Sequence, residues 1–328
     1  MSANEMVKKD GRSILRMVGG YFSNNGIVAA FLVIFLALSF ITENFFSWTN
    51  FMNIARSSVP AAVIAFGMVF VISTTGIDLS VGYSMLFCST LLASMIKNGL
   101  NIYLAMLLCL CAGMVIGTVN GVLVTKAKIT PFIATLATSR ILYGVNMVYT
   151  HGVPIYGLSY PELQVVDQTR VFSVPVSVII CTIICIICAI VMYKTSFGRH
   201  VIAIGSNNSA ARLSGINVDL VTTLTYTITG VLSAVAAIII TSKMEAAVPG
   251  SYAGHEVDVI AATVLGGTSM TGGKAKMGGA YLGAILMIIV INGLAMLRIN
   301  TLWQSAVVGL VILAAIGIDT IATYRKKG

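Results

Sequence analysis

The sequence has 328 residues, of which 57% are hydrophobic and 9% charged, with a formal net charge of +9. Soluble domains carry about 25% charged residues, so this composition excludes a water-soluble globular chain. The basic balance does not mark a nucleic-acid binder either. Lys and Arg sit in short clusters between apolar runs, the pattern that orients a chain in a membrane.

In chain order, residues 1–25 are polar and carry Lys8, Lys9, Arg12 and Arg16. They read as a cytoplasmic tail ahead of a first retained span, since the charged start is long and lacks a clear small-residue cleavage site. Apolar runs follow at 26–42, 57–73, 79–96, 102–124, 131–149, 173–193, 220–242, 257–271, 278–297 and 302–323. Ser57 to Ile96 carries one charge, Asp78. As one helix it would be about 60 Å long, twice the hydrocarbon core of about 30 Å. It must fold back, and Thr74-Thr75-Gly76-Ile77-Asp78 is its turn-like stretch.

The expected fold class is therefore all-α, a polytopic membrane protein of about ten spans. One transmembrane domain over 26–323 is flanked by tails at 1–25 and 324–328. Ten spans place both termini on one side. With that side cytoplasmic, fourteen Lys and Arg fall inside, and five fall outside: Arg56, Lys97, Arg170, Lys243 and Arg298. That asymmetry fixes the orientation. The inside turn at Gly76 carries no basic residue, so protein is expected to cover it. Residues 151–172 form an external loop. Residues 194–219 form the longest inside connection, read as a short helix from Ser209 to Leu213 stopped by Gly215.

Two short patterns recur. Gly76-Ile77-Asp78 precedes one span and Val119-Asn120-Gly121 ends the next. Glu256-Val257-Asp258 and Ile291-Asn292-Gly293 repeat that order, on the opposite side in the charge-derived topology. This is the pattern of an inverted repeat relating spans 2–5 to spans 7–10.

A carboxylate beside a span is costly, so Asp78 needs a role. Capping the helix that begins near Leu79 is the plain one, and contact with a solute or gate the sharper one. Asp258 has the same two readings at span 8. Only 12 residues separate Asp258 from Met270, about 18 Å of helix. The segment Leu265 to Lys274, with Gly266, Gly267, Gly272 and Gly273, reads as a broken span beside a passage or as close helix packing. It is not a nucleotide loop, because Thr268 and Ala275 stand where a glycine and a magnesium-binding hydroxyl belong. Arg140, inside a span beside Thr138 and Ser139, reads as snorkelling from near the helix start or as a buried residue lining a cavity.

Cys88, Cys109, Cys111, Cys181, Cys185 and Cys188 all lie in apolar runs and read as packing residues, with no disulfide. His151, His200 and His255 lie in different loops. No metal site and no cofactor are expected, and no catalytic triad is apparent. The dearth of ionisable groups inside the spans favours a neutral solute moved by an external energy source. An ion-coupled secondary transporter is the alternative, and a membrane enzyme acting on lipid lacks a polar cluster to support it.

Four strings taken in order resemble the permease subunits of bacterial ATP-binding cassette importers for monosaccharides, of the ribose, xylose and galactose type. They are Gly76 to Gly82, Pro131-Phe132-Ile133-Ala134-Thr135-Leu136, Ala210 to Ile216, and Asp258 to Gly273. The resemblance implies a homodimer in the bacterial inner membrane, a cytoplasmic ATPase and an extracytoplasmic sugar-binding protein. It makes Ser209, Ala210, Ala211, Arg212, Leu213 and Gly215 the coupling element. With the repeat pattern, it points to Asp78, Ser80, Asn120, Phe132, Thr135, Asp258 and Asn292 as pathway or gating residues. This chain departs from the family in having Ser209 where Glu is common, and Tyr143 where Arg is common. The implied function is passage of a small neutral sugar, with no covalent chemistry and no nucleic acid.

Overall fold

The computed structural model describes residues 35–36, 39–42, 45–251, 254–300, 303–304, 306–310 and 313. Most of the first and tenth apolar runs, and both tails, lie outside these. The chain forms two compact units, Trp48–Ile288 and a smaller one of Met1–Ser47 with Ile289–Gly328. In the smaller unit the buried ring of Phe45 lies edge-on to Phe35, with centroids 5.5 Å apart.

The larger unit is built from helices α1 (Trp48–Ser73), α2 (Val81–Lys97), α3 (Ile102–Thr125) and α4 (Pro131–Thr150), then α5 (Pro161–Gln164) and α6 (Val176–Lys194). After these come α7 (Ser196–Ser206), α8 (Asn208–Leu213), α9 (Val218–Met244), α10 (His255–Leu265) and α11 (Met277–Met296), the last of which belongs to the smaller unit from Ile289 on. Every apolar run from 57–73 to 278–297 thus holds a helix. Among the described residues, five helices, α1, α3, α6, α9 and α11, are long and apolar enough to cross a membrane. The all-α expectation needs one addition: strands β1 (Ile155–Tyr156), β2 (Arg170–Val171), β3 (Val174–Pro175) and β4 (Ala246–Ala247) pair antiparallel as β1–β4 and β2–β3.

At the centre, α9 packs against α1, α2 and α3, and small residues set the spacing. Gly113, Gly117 and Gly121 recur every fourth residue along one face of α3. A methyl group on Gly121 would sit 2.7 Å from Thr223 Cα, and one on Gly117 would collide with the Tyr226 carbonyl. Backbone touches backbone here, the device by which apolar helices associate without a hydrophobic driving force. Hydroxyl pairs Thr118–Thr227 at 2.9 Å and Thr125–Thr223 at 3.0 Å stitch the same seam.

Contacts define two ends of this unit. At one, Lys126 reaches Asp219 at 3.3 Å, and Ser73 and Gly205 lie side by side. At the other, residues 151–175 are strapped down, which the loop reading did not foresee. Arg56 Nε donates to Asp167 at 2.7 Å, and Ser177 donates to the same carboxylate at 2.5 Å. Leu158 and Leu163 are fully buried. Glu245, which ends α9 in a left-handed conformation (φ 50°), accepts from Gln164 at 2.7 Å and pairs with Ser159. These hydrogen bonds hold its carboxyl below the usual glutamate range.

Candidate translocation and coupling site

The fold-back predicted at Gly76 is present, and it is covered by protein as expected. Between α1 and α2 the chain runs without helix from Thr74 to Ser80, and Thr74, Gly76, Asp78 and Ser80 are buried. Buried backbone that leaves a helix must find other partners. Leu79 N–H donates to Thr135 Oγ1 at 3.0 Å, and Tyr226 donates its hydroxyl to the Ile77 carbonyl at 3.4 Å. Gly76 is required, because a Cβ there would stand 2.6 Å from that hydroxyl.

Asp78 closes the turn on itself. Its Oδ1 accepts from Ser80 N–H at 2.8 Å and from Ser80 Oγ at 2.6 Å. Asn120 Nδ2 then donates to Ser80 Oγ at 2.7 Å. Hydrogen bonds to a charged acceptor are about twice as strong as neutral ones, so the carboxylate is the natural anchor of this chain of bonds. Four predicted residues, Asp78, Ser80, Asn120 and Thr135, therefore meet in one network although they come from three parts of the sequence. The geometry is that of a turn lock ahead of α2: the helix begins at Val81, two residues past the expected Leu79, so the cap position is Ser80 and not Asp78.

A second interruption faces the first. The helix α10 has only 11 residues. Beyond it, residues 266–276 run without helix, with positive φ at Gly267 (89°), Gly272 (80°) and Gly273 (71°). Such backbone is tolerated at membrane depth only where protein or a water-filled cavity satisfies it. Here protein does so in part: Gly273 N–H donates to the Ser73 carbonyl at 3.1 Å and Ser73 Oγ donates to the Lys274 carbonyl at 3.4 Å. Gly266 packs on Gly279 of α11 through backbone alone.

Between the two interruptions sits Gly205, near the end of α7. A Cβ on it would lie 2.5 Å from Gly273 N and still closer to the Ser73 carbonyl. The inside connection is thus not a loose joint. Each helix boundary is capped: Thr195 accepts from Gly198 N–H at 3.3 Å, Asn207 from Ala210 N–H at 3.0 Å, and Asn217 from Leu220 N–H at 3.1 Å. The predicted Ser209–Leu213 helix is α8, and Gly215 ends it at φ 82°. Ile216 N–H bonds Ala211 O at 3.1 Å and Gly215 N–H bonds Arg212 O at 3.0 Å, the paired bonds of a Schellman stop. On α8, Ala211 is buried while Ser209, Ala210, Arg212 and Leu213 are exposed, Leu213 at 90%. Arg212 is engaged within the chain: it meets Asp219 at 2.6 Å, and that carboxylate also faces Lys126 and Lys128.

Other predicted residues stand apart from the network. Phe132, the second residue of α4, is 53% exposed. Asp258 lies half-buried in the first turn of α10, whose cap position is Gly254, so it complements the helix dipole where a cap was expected. Its helix begins at the strapped end, since Gly250 lies against Met147 near the close of α4. Asn292 belongs to the smaller unit and is half-buried on α11.

Of the two readings of Arg140, the position near the helix start does not hold. The residue is the tenth of the twenty in α4, not near the start. It is about 13 Å from the first residue, too far for its side chain to reach either end. Three functional positions escaped the sequence reading. Tyr226, a phenol among Thr residues in an apolar run, carried a signal in its need for a partner. Gly205 carried none, because its partners are remote in sequence, and two of the three cations on Asp219, Lys126 and Lys128, are equally remote.

A bundle of long apolar helices, two helix interruptions that touch each other and a capped module seated on both define a multi-pass membrane permease. The chain belongs to the family described as branched-chain amino acid transport system / permease component, matched over residues 50–316. It is similar to the ribose import permease protein of Bacillus subtilis (strain 168), 39% identical over 94% of each chain. It is 36% identical to that of Haemophilus influenzae, over 94% of this chain and 97% of the relative. To the D-allose transport system permease protein of Escherichia coli (strain K12) it is 32% identical over 89% of each. No solved structure matches the chain.

Proposed function

We propose that this chain is the membrane subunit of an ATP-binding cassette importer and forms the passage for a small neutral monosaccharide. It makes and breaks no covalent bond and holds no cofactor. A cytoplasmic ATPase would engage α8, and an extracytoplasmic sugar-binding protein would deliver solute at the strapped end. Two copies, surrounded by lipid, would enclose the passage in the bacterial cytoplasmic membrane. The finer reading keeps ten spans, both termini cytoplasmic, and an inverted repeat of spans 2–5 and 7–10. Its support is the basic asymmetry and the placement of Asp78 and Asp258 toward opposite ends.

The observation that carries the proposal is the seat of α7 on both interruptions at Gly205. A push on the exposed face of α8 is passed, through one capped junction at Asn207, to the turn locked by Asp78 and to the segment at Gly272 and Gly273. The sugar is supported by relatives whose names specify ribose and allose. The dearth of carboxylates in the spans fits a solute that needs no counter-charge.

The test is uptake by proteoliposomes holding this chain, its ATPase and its binding protein. Labelled D-ribose or D-allose should enter only with ATP. Entry driven by an ion gradient without the ATPase would establish a secondary transporter instead, and ATP-dependent entry of leucine alone would replace the sugar with an amino acid.

A further inference from the structure

Helix α4 is long enough to cross a membrane at 20 residues, yet it is not among the five helices apolar enough to do so in lipid. It nevertheless runs the depth of the bundle beside α2. At one end Leu79 bonds Thr135, in the middle Tyr83 packs edge-on to Tyr143 at 5.7 Å, and at the other end Ser94 bonds Tyr149. Arg140 lies midway along this path. It is exposed, and no hydrogen bond or ion pair engages its guanidinium among the described residues. The stripe around it is open: Ile133 and Gly144 are exposed, and nothing lies within 4 Å of where a Gly144 side chain would stand.

An unpaired arginine at mid-depth, out of reach of both headgroup layers, cannot face hydrocarbon. Among the described residues, its own helix and neighbours leave it no carboxylate. Within that set, what remains to face it is water and whatever passes through it. We infer that the Arg140 face of α4 lines the aqueous passage, and that Arg140 is a specificity-determining residue that donates hydrogen bonds to hydroxyl oxygens of the passing solute. The guanidinium has five N–H donors in a fixed fork and no acceptor. It therefore grips two neighbouring hydroxyls of a polyol as acceptors, and holds them without a charge on the solute. Tyr143, one turn along and half-buried, offers a ring beside it for the apolar C–H face of the same molecule. The choice of solute rests on the function proposed above; the water does not.

The two parts are tested separately, in membrane vesicles holding the assembled transporter. For the water, Gly144→Cys and Arg140→Cys are treated with membrane-impermeant methanethiosulfonates, which need a hydrated thiolate. The wild-type chain is the control, because its exposed Cys111 lies on the outer side of apolar α3. Both introduced thiols should react about tenfold or more faster than Cys111. In Gly144→Cys, the anionic reagent should outpace the cationic one about fivefold, the effect of one nearby positive charge, and adding Arg140→Gln should erase the preference. Gly144→Cys reacting no faster than Cys111 overturns the proposal, and so does a preference that survives Arg140→Gln. For the solute, Arg140→Lys should retain part of ATP-driven D-ribose uptake and change the ribose-to-allose ratio, whereas Arg140→Met should lose uptake. An unchanged ratio in both variants overturns the specificity role while leaving the water assignment to the thiol result.

Discussion

The two interruptions solve one problem by opposite means. The turn at 74–80 is held by side chains: Asp78, Ser80, Asn120, Thr135 and Tyr226 supply what the lost helix would have supplied. The segment at 266–276 relies mostly on the lack of side chains, with glycines at positive φ and backbone laid on backbone at Ser73, Gly205 and Gly279, and with the hydroxyls of Ser73 and Tyr193 on its last carbonyls. A side-chain lock tolerates isosteric replacement, because another acceptor can take the same hydrogens. A backbone contact tolerates nothing, because no atom can be withdrawn. The same α7 touches both.

That contrast breaks most sharply at Gly205. Gly205→Val would press into two backbone groups and should cost about 3 kcal/mol, with loss of ATP-driven uptake. Thermal unfolding in detergent and proteoliposome uptake would read it, and normal uptake would detach α7 from the interruptions. Next comes the lock itself. Asp78→Leu strands the Ser80 amide and hydroxyl and should cost about 2–3 kcal/mol, whereas Asp78→Asn keeps an acceptor in place and should cost less than about 1 kcal/mol. Loss of uptake in a normally folded Asp78→Asn would show that the charge, not the acceptor, is what transport needs.

Gly215→Val should be milder still, with about 1–2 kcal/mol of left-handed strain confined to the end of α8. It should insert and assemble while ATP hydrolysis proceeds without uptake, and unchanged uptake would remove α8 from the coupling route. The smallest effect belongs to the strapped end. Glu245 titrates lower in the folded chain than its ordinary value of 4.5. Its contribution is complete above that value and is lost as pH falls through the lowered one. The protection of amides 155–168 against hydrogen exchange, relative to their intrinsic rates, should fall on acidification below 4.5 in the wild type and stay level in Glu245→Gln; equal slopes would show that the strap does not depend on this carboxylate.

Much of the bundle could be read in advance because lipid imposes a length on every helix. The 40-residue apolar run had to bend, and Gly76 and Asp78 marked the place. Gly215 likewise announced the end of α8. The helical nature of Ser196–Ser206 was missed, since its value lies in seating Gly205 on groups about 70 and 130 positions away. The strap at 151–175 was missed for the same reason: Asp167 is an ordinary loop acid until Arg56 and Ser177 converge on it. The start of α4 at Pro131 was legible, and it already put Arg140 at the middle of the helix; what the sequence could not show was which of its neighbours leave the guanidinium exposed.

The glycine seam between α3 and α9 also limits how the molecule can move. With Gly113, Gly117 and Gly121 seated on Thr223, Tyr226 and Gly230, a slide by one residue would bring a side chain onto a backbone carbonyl. The two helices are consequently obliged to travel as a single strut. Whatever displacement a turnover demands falls to the parts hinged around that strut.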